Sequence, residues 1–379
     1  MEIRIIRLII YLSFHFIFVT CSSVEESASQ QTISINVDSI REYQMHEIFS
    51  NINLIPLETT EESTISEIKK LIFHEGKYYV LDYRAKAIFR FDASGRFLSK
   101  FQKIGKGPGE YLGIDDFIIN PYSGNLEILQ VDGIVIVYTL EGEFVKRFSI
   151  GSEVRSTQFF HIVSEDIIAF LSEYTENRLW LYSRSKNQVI KKLHEVPLFV
   201  GSDTPFKSIN SPFYKHSKVM NFSEPHTRRV YTISLNGYSL KYAWDFGNDF
   251  DISMFPQGQT IEENVEFWQK STKDYVSYFR YNLENDELII TFFAYNESYN
   301  LLLYKKESKT YRIVKNFKEG AVPDLIDFIN EDKGVYSCVM AEDLHHFINE
   351  DVLSEKDKAL WHRIDDLENP VIVQYYFND

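Results

Sequence analysis

Two stretches of the chain repeat the same pattern of a glycine turn followed by phenylalanines. Residues 91–101 read FDASGRFLSKF and residues 138–148 read YTLEGEFVKRF. Gly95 and Gly142 lie 47 positions apart, and the phenylalanines that follow them keep the same spacing. Strand-like alternation runs on both sides of each glycine turn. A fixed period of this size, with strands inside each unit, predicts the blades of a β-propeller.

Further strand runs extend this plan along the chain. The predicted blades span residues 68–101, 114–148, 157–193, 207–246 and 275–317, and a sixth unit begins at 325–340 but lacks two strands. Strand-like alternation of apolar and polar residues also occurs at 371–377 and at 52–58, near the two ends of the chain. These two runs can supply the missing strands of the sixth unit. The sequence therefore predicts an all-β fold, a six-bladed β-propeller in which N- and C-terminal strands share the last blade. Such sharing leaves no open sheet edge in the ring.

Two stretches depart from strand periodicity. Residues of about 256–270, between blades four and five, and residues 342–367, before the C-terminal strand, space their apolar side chains as helices do. Both are expected to be helical insertions in a propeller that spans residues 46–379.

Composition limits the class of partner. The chain has 379 residues, of which 55 are acidic and 40 basic, for a net charge of −15. Nucleic-acid binding needs clustered lysine and arginine side chains against the phosphates, and no basic stripe or phosphate loop is present. No nucleic acid is therefore expected as a partner. The 24 tyrosines and 30 phenylalanines suit pleated, half-buried strands.

The N-terminus has the features of an export signal. Arg4 and Arg7 precede an apolar run over 8–20, which is shorter than the ~20 apolar residues that span a bilayer. The run ends in Phe-Val-Thr-Cys, similar to a bacterial lipobox, and predicts a signal peptide over 1–20, lipidation of Cys21 and a tether over 21–45. The alternative is an ordinary secretory peptide with an incidental cysteine. Lipidation would attach the protein to a membrane at the cell envelope, as an outer-membrane or periplasmic lipoprotein. The other cysteine, Cys338, lies in an apolar strand pattern and is expected to be buried and inert.

Three short motifs carry a family resemblance. They are Leu-Ile-Pro-Leu-Glu-Thr-Thr at 54–60, Gly-Lys-Gly-Pro-Gly-Glu-Tyr at 105–111 and Glu-Asn-Pro-Val-Ile-Val at 368–373. With them the chain resembles the six-bladed β-propeller lipoproteins of Bacteroidota, which are related in pattern to NHL repeats. The resemblance implies an exported propeller that is associated with the cell envelope, and it supplies no catalytic residues.

Several motifs that suggest chemistry have simpler interpretations. A phosphate loop needs a helix after its glycines, whereas a strand pattern follows the glycine-rich 105–111. Asp245, Asp249 and Asp251 lack the spacing of an EF-hand and are interpreted as a solvated acidic turn. His345 and His346 point about 100° apart on a predicted helix, which makes them a poor metal pair. No metal and no cofactor are predicted.

The predicted function is that of a binding or scaffold module, and an enzyme is the less favoured class. Loops that lead into the innermost strands meet at one mouth of the channel, where a protein, peptide or glycan ligand could bind. Glu110, Asp115 and Asp116 are the charged candidates there. The alternative is a propeller-type hydrolase or lyase, with carboxylates at the channel mouth acting as acid and base.

Overall fold

The computed structural model describes residues 31–378, except 131, 152–153, 155–156, 173–176, 196–210, 224–226, 251, 255, 257–259, 322–325 and 330–333. It contains six antiparallel sheets of four strands each, two of which carry a fifth, parallel strand at the outer edge. The six-bladed β-propeller predicted from the repeats is confirmed.

The described residues form 26 strands, which are numbered in chain order. They are β1 Gln31–Ser34, β2 Ile40–Tyr43, β3 Phe49–Pro56, β4 Ile68–His74, β5 Lys77–Asp82, β6 Ala87–Asp92, β7 Phe97–Phe101, β8 Asp116–Ile119 and β9 Leu126–Gln130. Next come β10 Ile134–Tyr138, β11 Phe144–Ser149, β12 Thr157–Ile162, β13 Ile167–Ser172, β14 Asn177–Ser183, β15 Gln188–Glu195, β16 Phe213–His216, β17 Val219–Ser223 and β18 Arg229–Ser234. The last are β19 Gly237–Asp245, β20 Ser277–Glu284, β21 Leu288–Tyr295, β22 Ser298–Lys305, β23 Thr310–Phe317, β24 Ile326–Ile329, β25 Gly334–Val339 and β26 Val371–Phe377.

Blades one to five take four consecutive strands each, from β4–β7 to β20–β23. Blade six has the order β24-β25-β26-β3, so that its outermost strand comes from the N-terminal part of the chain. In that pair Val373 lies opposite Leu54 and Tyr375 opposite Ile52, both antiparallel. The shared last blade is therefore confirmed, with the N-terminal strand beginning three residues earlier than the sequence indicated.

Two polar side chains hold this closure in place. Asn369 is buried just before β26, where its Oδ1 accepts from the Ile65 N–H at 2.9 Å and its Nδ2 donates to the Glu58 carbonyl at 2.8 Å. On the outer side, Asp357 Oδ1 accepts from the Leu54 N–H at 3.0 Å. Asp357 thereby satisfies a donor on the outer edge of β3, which would otherwise be exposed as an unpaired strand edge.

The N-terminal segment also runs along the two preceding blades. β1 pairs in parallel with β19 of blade four, and β2 pairs in parallel with β23 of blade five. The described part of the segment expected as a tether, from residue 31 onward, thus pairs with the ring. The partner of β1 lies more than two hundred residues away in the sequence, so no local signal indicates this pairing.

Four short helices complete the described part. They are α1 Met45–Ile48, α2 Ile261–Ser271, α3 Leu344–Phe347 and α4 Glu355–Trp361, with 3-10 turns at Val37–Ser39, Ile252–Met254, Ala341–Asp343 and Glu350–Val352. Helix α2 begins with a capping box, in which Thr260 and Glu263 each accept from the other's backbone N–H. The helical insertion before the C-terminal strand is confirmed as short helices and turns. Among the described residues, no helix has the length and apolar character needed to cross a membrane.

The hydrophobic core lies between blades. Six clusters of buried side chains fill the interfaces of neighbouring blades, such as the cluster of blades one and two that includes Leu81, Phe117 and Tyr138. Phe91 and Ile372 belong to the cluster between blades one and six. Phenylalanine and tyrosine fill these layers because each blade twists and leaves a wide space against the next one.

The repeated glycines make the same turn in different surroundings. Gly95 and Gly142 adopt φ of +85° and +91°, which favours glycine. A Cβ on Gly95 would collide with the backbone carbonyl of Pro56 at the end of β3, whereas one on Gly142 would meet only the Phe101 ring, at 3.3 Å. The first copy of the turn is therefore also a contact with the closing strand.

We expect Gly95→Ala to destabilise the protein more than Gly142→Ala. Both variants carry the cost of a left-handed alanine, about 1–2 kcal/mol, and Gly95→Ala adds roughly 1–3 kcal/mol of overpacking against a backbone that cannot rotate away. Urea unfolding of the two variants measures the difference. Equal losses would show that the contact with Pro56 is not a constraint.

Candidate ligand site in the central channel

The first strands of the blades surround the axis of the ring, and neighbouring first strands contact one another. Between them lies a cavity of about 430 Å³ to which blades one to five contribute. Its lining combines apolar side chains, including Ile72, Phe159 and Phe213, with charged ones. The charged and titratable lining residues are Lys69, Lys70, His74, Asp115, Asp116, His161, Lys215 and Glu284.

Asp116 joins three blades beside this cavity. Its carboxylate is buried, and Oδ1 accepts from Lys70 Nζ of blade one at 2.6 Å. Oδ2 accepts from the Phe160 N–H of blade three at 3.1 Å. A buried carboxylate is stable when charged partners and N–H donors satisfy it, as they do here. Asp116 therefore acts as a structural link between blades one, two and three.

Glu284 has the same role between blades four and five. Lys241 Nζ lies 2.5 Å from Oε2 and Lys306 Nζ lies 2.7 Å from Oε1, while the Tyr214 hydroxyl donates at 3.2 Å. Burial raises the pKa of Glu284, but the hydrogen bonds from the two lysines outweigh it and hold the pKa below its ordinary value. The carboxylate is thus ionised, buried and neutralised by two ammonium groups.

Lys69, His161 and Lys215 are further titratable residues of the lining. Burial lowers the pKa of Lys69, whose Nζ lies 3.9 Å from an Asp115 oxygen. Burial, together with the positive charges of Lys70 and Lys215, lowers the pKa of His161 to about 3. Lys215 is exposed to the channel. Within the described residues, neither Lys215 nor His161 has a hydrogen-bonding or ion-pairing side-chain partner.

The predicted site residues fall in two places. Asp115 and Asp116 line the cavity, whereas Glu110 is not among its lining residues. Glu110 folds over its own loop, where Oε2 accepts from the Gly107 N–H at 2.8 Å and occupies the space that a side chain on Gly105 would need. The glycines of 105–111 are therefore explained by close packing within a crossover between blades. Ligand binding by the three acidic residues stays a prediction.

The cationic residues of the lining were not identified from the sequence. Lys69 and Lys70 interrupt the apolar pattern of a first strand, which was a usable signal. Lys215 and His161 gave no comparable signal, because their position depends on how distant strands surround one axis.

Other candidates have structural explanations or lie outside the described chain. Asp249 accepts from Arg228 Nη1 at 2.6 Å and forms an ion pair with it in the turn. Burial raises the pKa of the Asp249 carboxyl group despite this partner. The ring of His345 packs edge-on against Trp361. Among the described residues, no group of three His, Cys, Asp or Glu side chains is arranged to hold a metal ion. Cys338 is buried, and Cys21, Asp251 and the loop at 322–324 lie outside the described residues.

One family model matches most of the chain. The model of a domain of unknown function, DUF4934, matches residues 30–376. The chain belongs to this family. Among curated proteins, no sequence is significantly similar to it.

Two solved structures from Bacteroides are similar in fold to the DUF4934 chain. A protein of Bacteroides fragilis described as exported superposes with a TM-score of 0.71 at 14% identity, covering 92% of this chain and all of the other. A member of the DUF4221 family from Bacteroides vulgatus superposes with a TM-score of 0.55 at 11% identity, covering 88% of this chain and 99% of the other. At these identities the likeness concerns the fold alone.

We expect Asp116→Asn to lower the free energy of unfolding by roughly 1.5–3 kcal/mol, because it removes a charge-assisted bond to Lys70 within a buried network. Asp286→Asn is the matched control. Asp286 is 90% exposed and lies 3.0 Å from His216, so its loss should cost about 0–1 kcal/mol. Urea unfolding compares the two. Similar losses would contradict the structural role of Asp116.

Proposed function

We propose that the protein is an exported binding module, anchored at the cell envelope through lipidated Cys21, that takes up its ligand in the central channel. The observation that carries the channel proposal is the 430 Å³ cavity, where side chains of five blades converge. Cavities of a few hundred Å³ with an apolar lining and a few convergent polar groups are typical small-ligand sites. The family resemblance, the N-terminal sequence and the exported relative from Bacteroides fragilis support the location.

A binding role fits the charged groups better than a hydrolase or lyase does. General acid–base catalysis requires a group whose pKa lies near the working pH. Asp116 and Glu284 are held in ion pairs, and the pKa of His161, about 3, makes it a weak base. These described groups therefore favour recognition over proton transfer.

Filling the channel should abolish ligand binding. Ser211 lines the cavity at the start of β16 and is half-buried, so Ser211→Trp should place an indole in the space a ligand needs. Ser308→Trp is the control, because Ser308 is exposed in the turn before β23, away from the cavity lining. A small-molecule library is screened by thermal shift against the unmodified protein and both variants.

We expect compounds that stabilise the unmodified protein and Ser308→Trp but not Ser211→Trp. Compounds that stabilise all three proteins equally would place binding outside the channel. Without compound, each variant should melt within a few degrees of the unmodified protein, which shows that it is folded.

The anchor is tested separately. Two or more acyl chains give stable membrane attachment where one does not, so Cys21→Ser should move the protein from the membrane fraction to the soluble fraction of the producing cell. Cys338→Ser is the control, since this thiol is buried. An unchanged membrane fraction for Cys21→Ser would rule out lipidation at that residue.

A further inference from the structure

The charged groups in and immediately around the channel have a balance opposite in sign to that of the whole chain. The protein carries a net charge of −15. In the channel, however, Lys69, Lys70 and Lys215 face Asp115, Asp116 and Glu284. Two more ammonium groups, those of Lys241 and Lys306, contact Glu284 from outside the lining. Together these groups have an excess of positive charge.

The carboxylates of Asp116 and Glu284 are already satisfied, which determines where this excess is available. The Asp116 carboxylate accepts from the Lys70 ammonium group and from two backbone N–H groups, one in blade two and one in blade three. The Glu284 carboxylate accepts from two ammonium groups and one hydroxyl. Both carboxylates are buried in these networks. An incoming cation would have to displace those donors, whereas an incoming anion would not.

Lys215 is the accessible positive group. It is exposed, lines the cavity, and has no ion pair with any residue that the structure describes. His161 lines the same cavity and stacks on Phe213, with the ring centroids 6.4 Å apart. Lys70 lines this cavity as well, so that all three side chains border the same space.

We propose that the channel binds a small organic anion, with its carboxylate or phosphate group at Lys215 beside Lys70 and His161 and its apolar body against Phe159 and Phe213. This inference rests on the proposed function and deepens it. Anionic oxygens accept strong, charge-assisted hydrogen bonds from ammonium groups. The aromatic side chains supply the apolar surface that small-ligand sites use for most of their contact area. The low dielectric of a partly enclosed cavity strengthens the attraction.

Four probes of similar size test the charge preference. They are phenyl phosphate, benzoate, neutral benzyl alcohol and benzylammonium, titrated calorimetrically into the unmodified protein at one ionic strength. Both anions should bind more tightly than benzyl alcohol, and benzylammonium should bind most weakly. Phenyl phosphate binding above benzoate indicates a phosphorylated ligand, and the reverse order indicates a carboxylic acid.

Variants then locate the site. Lys215→Met keeps most of the side-chain length without the charge and should weaken anion binding roughly tenfold, the worth of about one charge-assisted hydrogen bond. Lys215→Arg should restore most of the loss. Lys100→Met, in the outer strand of blade one, is the control and should leave affinity unchanged.

The outcomes separate this inference from the proposed function. Benzyl alcohol or benzylammonium binding as tightly as the anions would overturn anion selection while leaving channel binding intact. Anion binding that survives Ser211→Trp or Lys215→Met would also overturn the inference, because the site would lie elsewhere. Failure of all four probes to bind overturns it too, whereas the library screen with Ser211→Trp judges the channel independently.

Discussion

The pairing of β26 with β3 is the interaction on which the ring depends. Every interface between blades is filled by buried side chains, and two of the six interfaces contain residues from both ends of the chain. Without β3, blade six would expose the edge of β26 and lose part of the packing on both of its sides. Asn369 and Asp357 fix the position of the two strands, and Gly95 lets the neighbouring turn approach β3 closely.

Charged residues inside the ring serve first as links between blades. Arg184 Nη2 of blade three donates to both carboxylate oxygens of Glu127 in blade two, at 2.9 and 2.7 Å. Asp116 and Glu284 make comparable links between other strands of neighbouring blades. Such buried pairs are costly to break because a single remaining charge would be unsatisfied. The carboxylates of Asp116 and Glu284 are thereby occupied, and Lys215 is left exposed to the cavity.

The fold could be predicted from the sequence because its signals are local. Alternation within strands and glycine turns at a fixed period define each blade without knowledge of the others. The site could only partly be predicted. Asp115 and Asp116 were found from their place at the start of a first strand. Glu110 was selected because its loop leads into that strand, but its side chain packs against the glycines of the same loop. Lys215 and His161 line the same cavity only because separate blades surround one axis.

The N-terminal segment has a consequence for the order of folding. It crosses blades four, five and six in turn, with Ser34 bonded to Asp245, Met45 to Glu319 and Leu54 to Asp357, over separations of 211, 274 and 303 residues. Strands β1, β2 and β3 therefore cannot pair until strands near the other end of the chain have been synthesised. Contacts between residues so distant in sequence slow folding. A chain built in this way cannot complete its ring until β26 has been synthesised and can pair with β3. Its architecture itself makes closure of the ring a late step of folding.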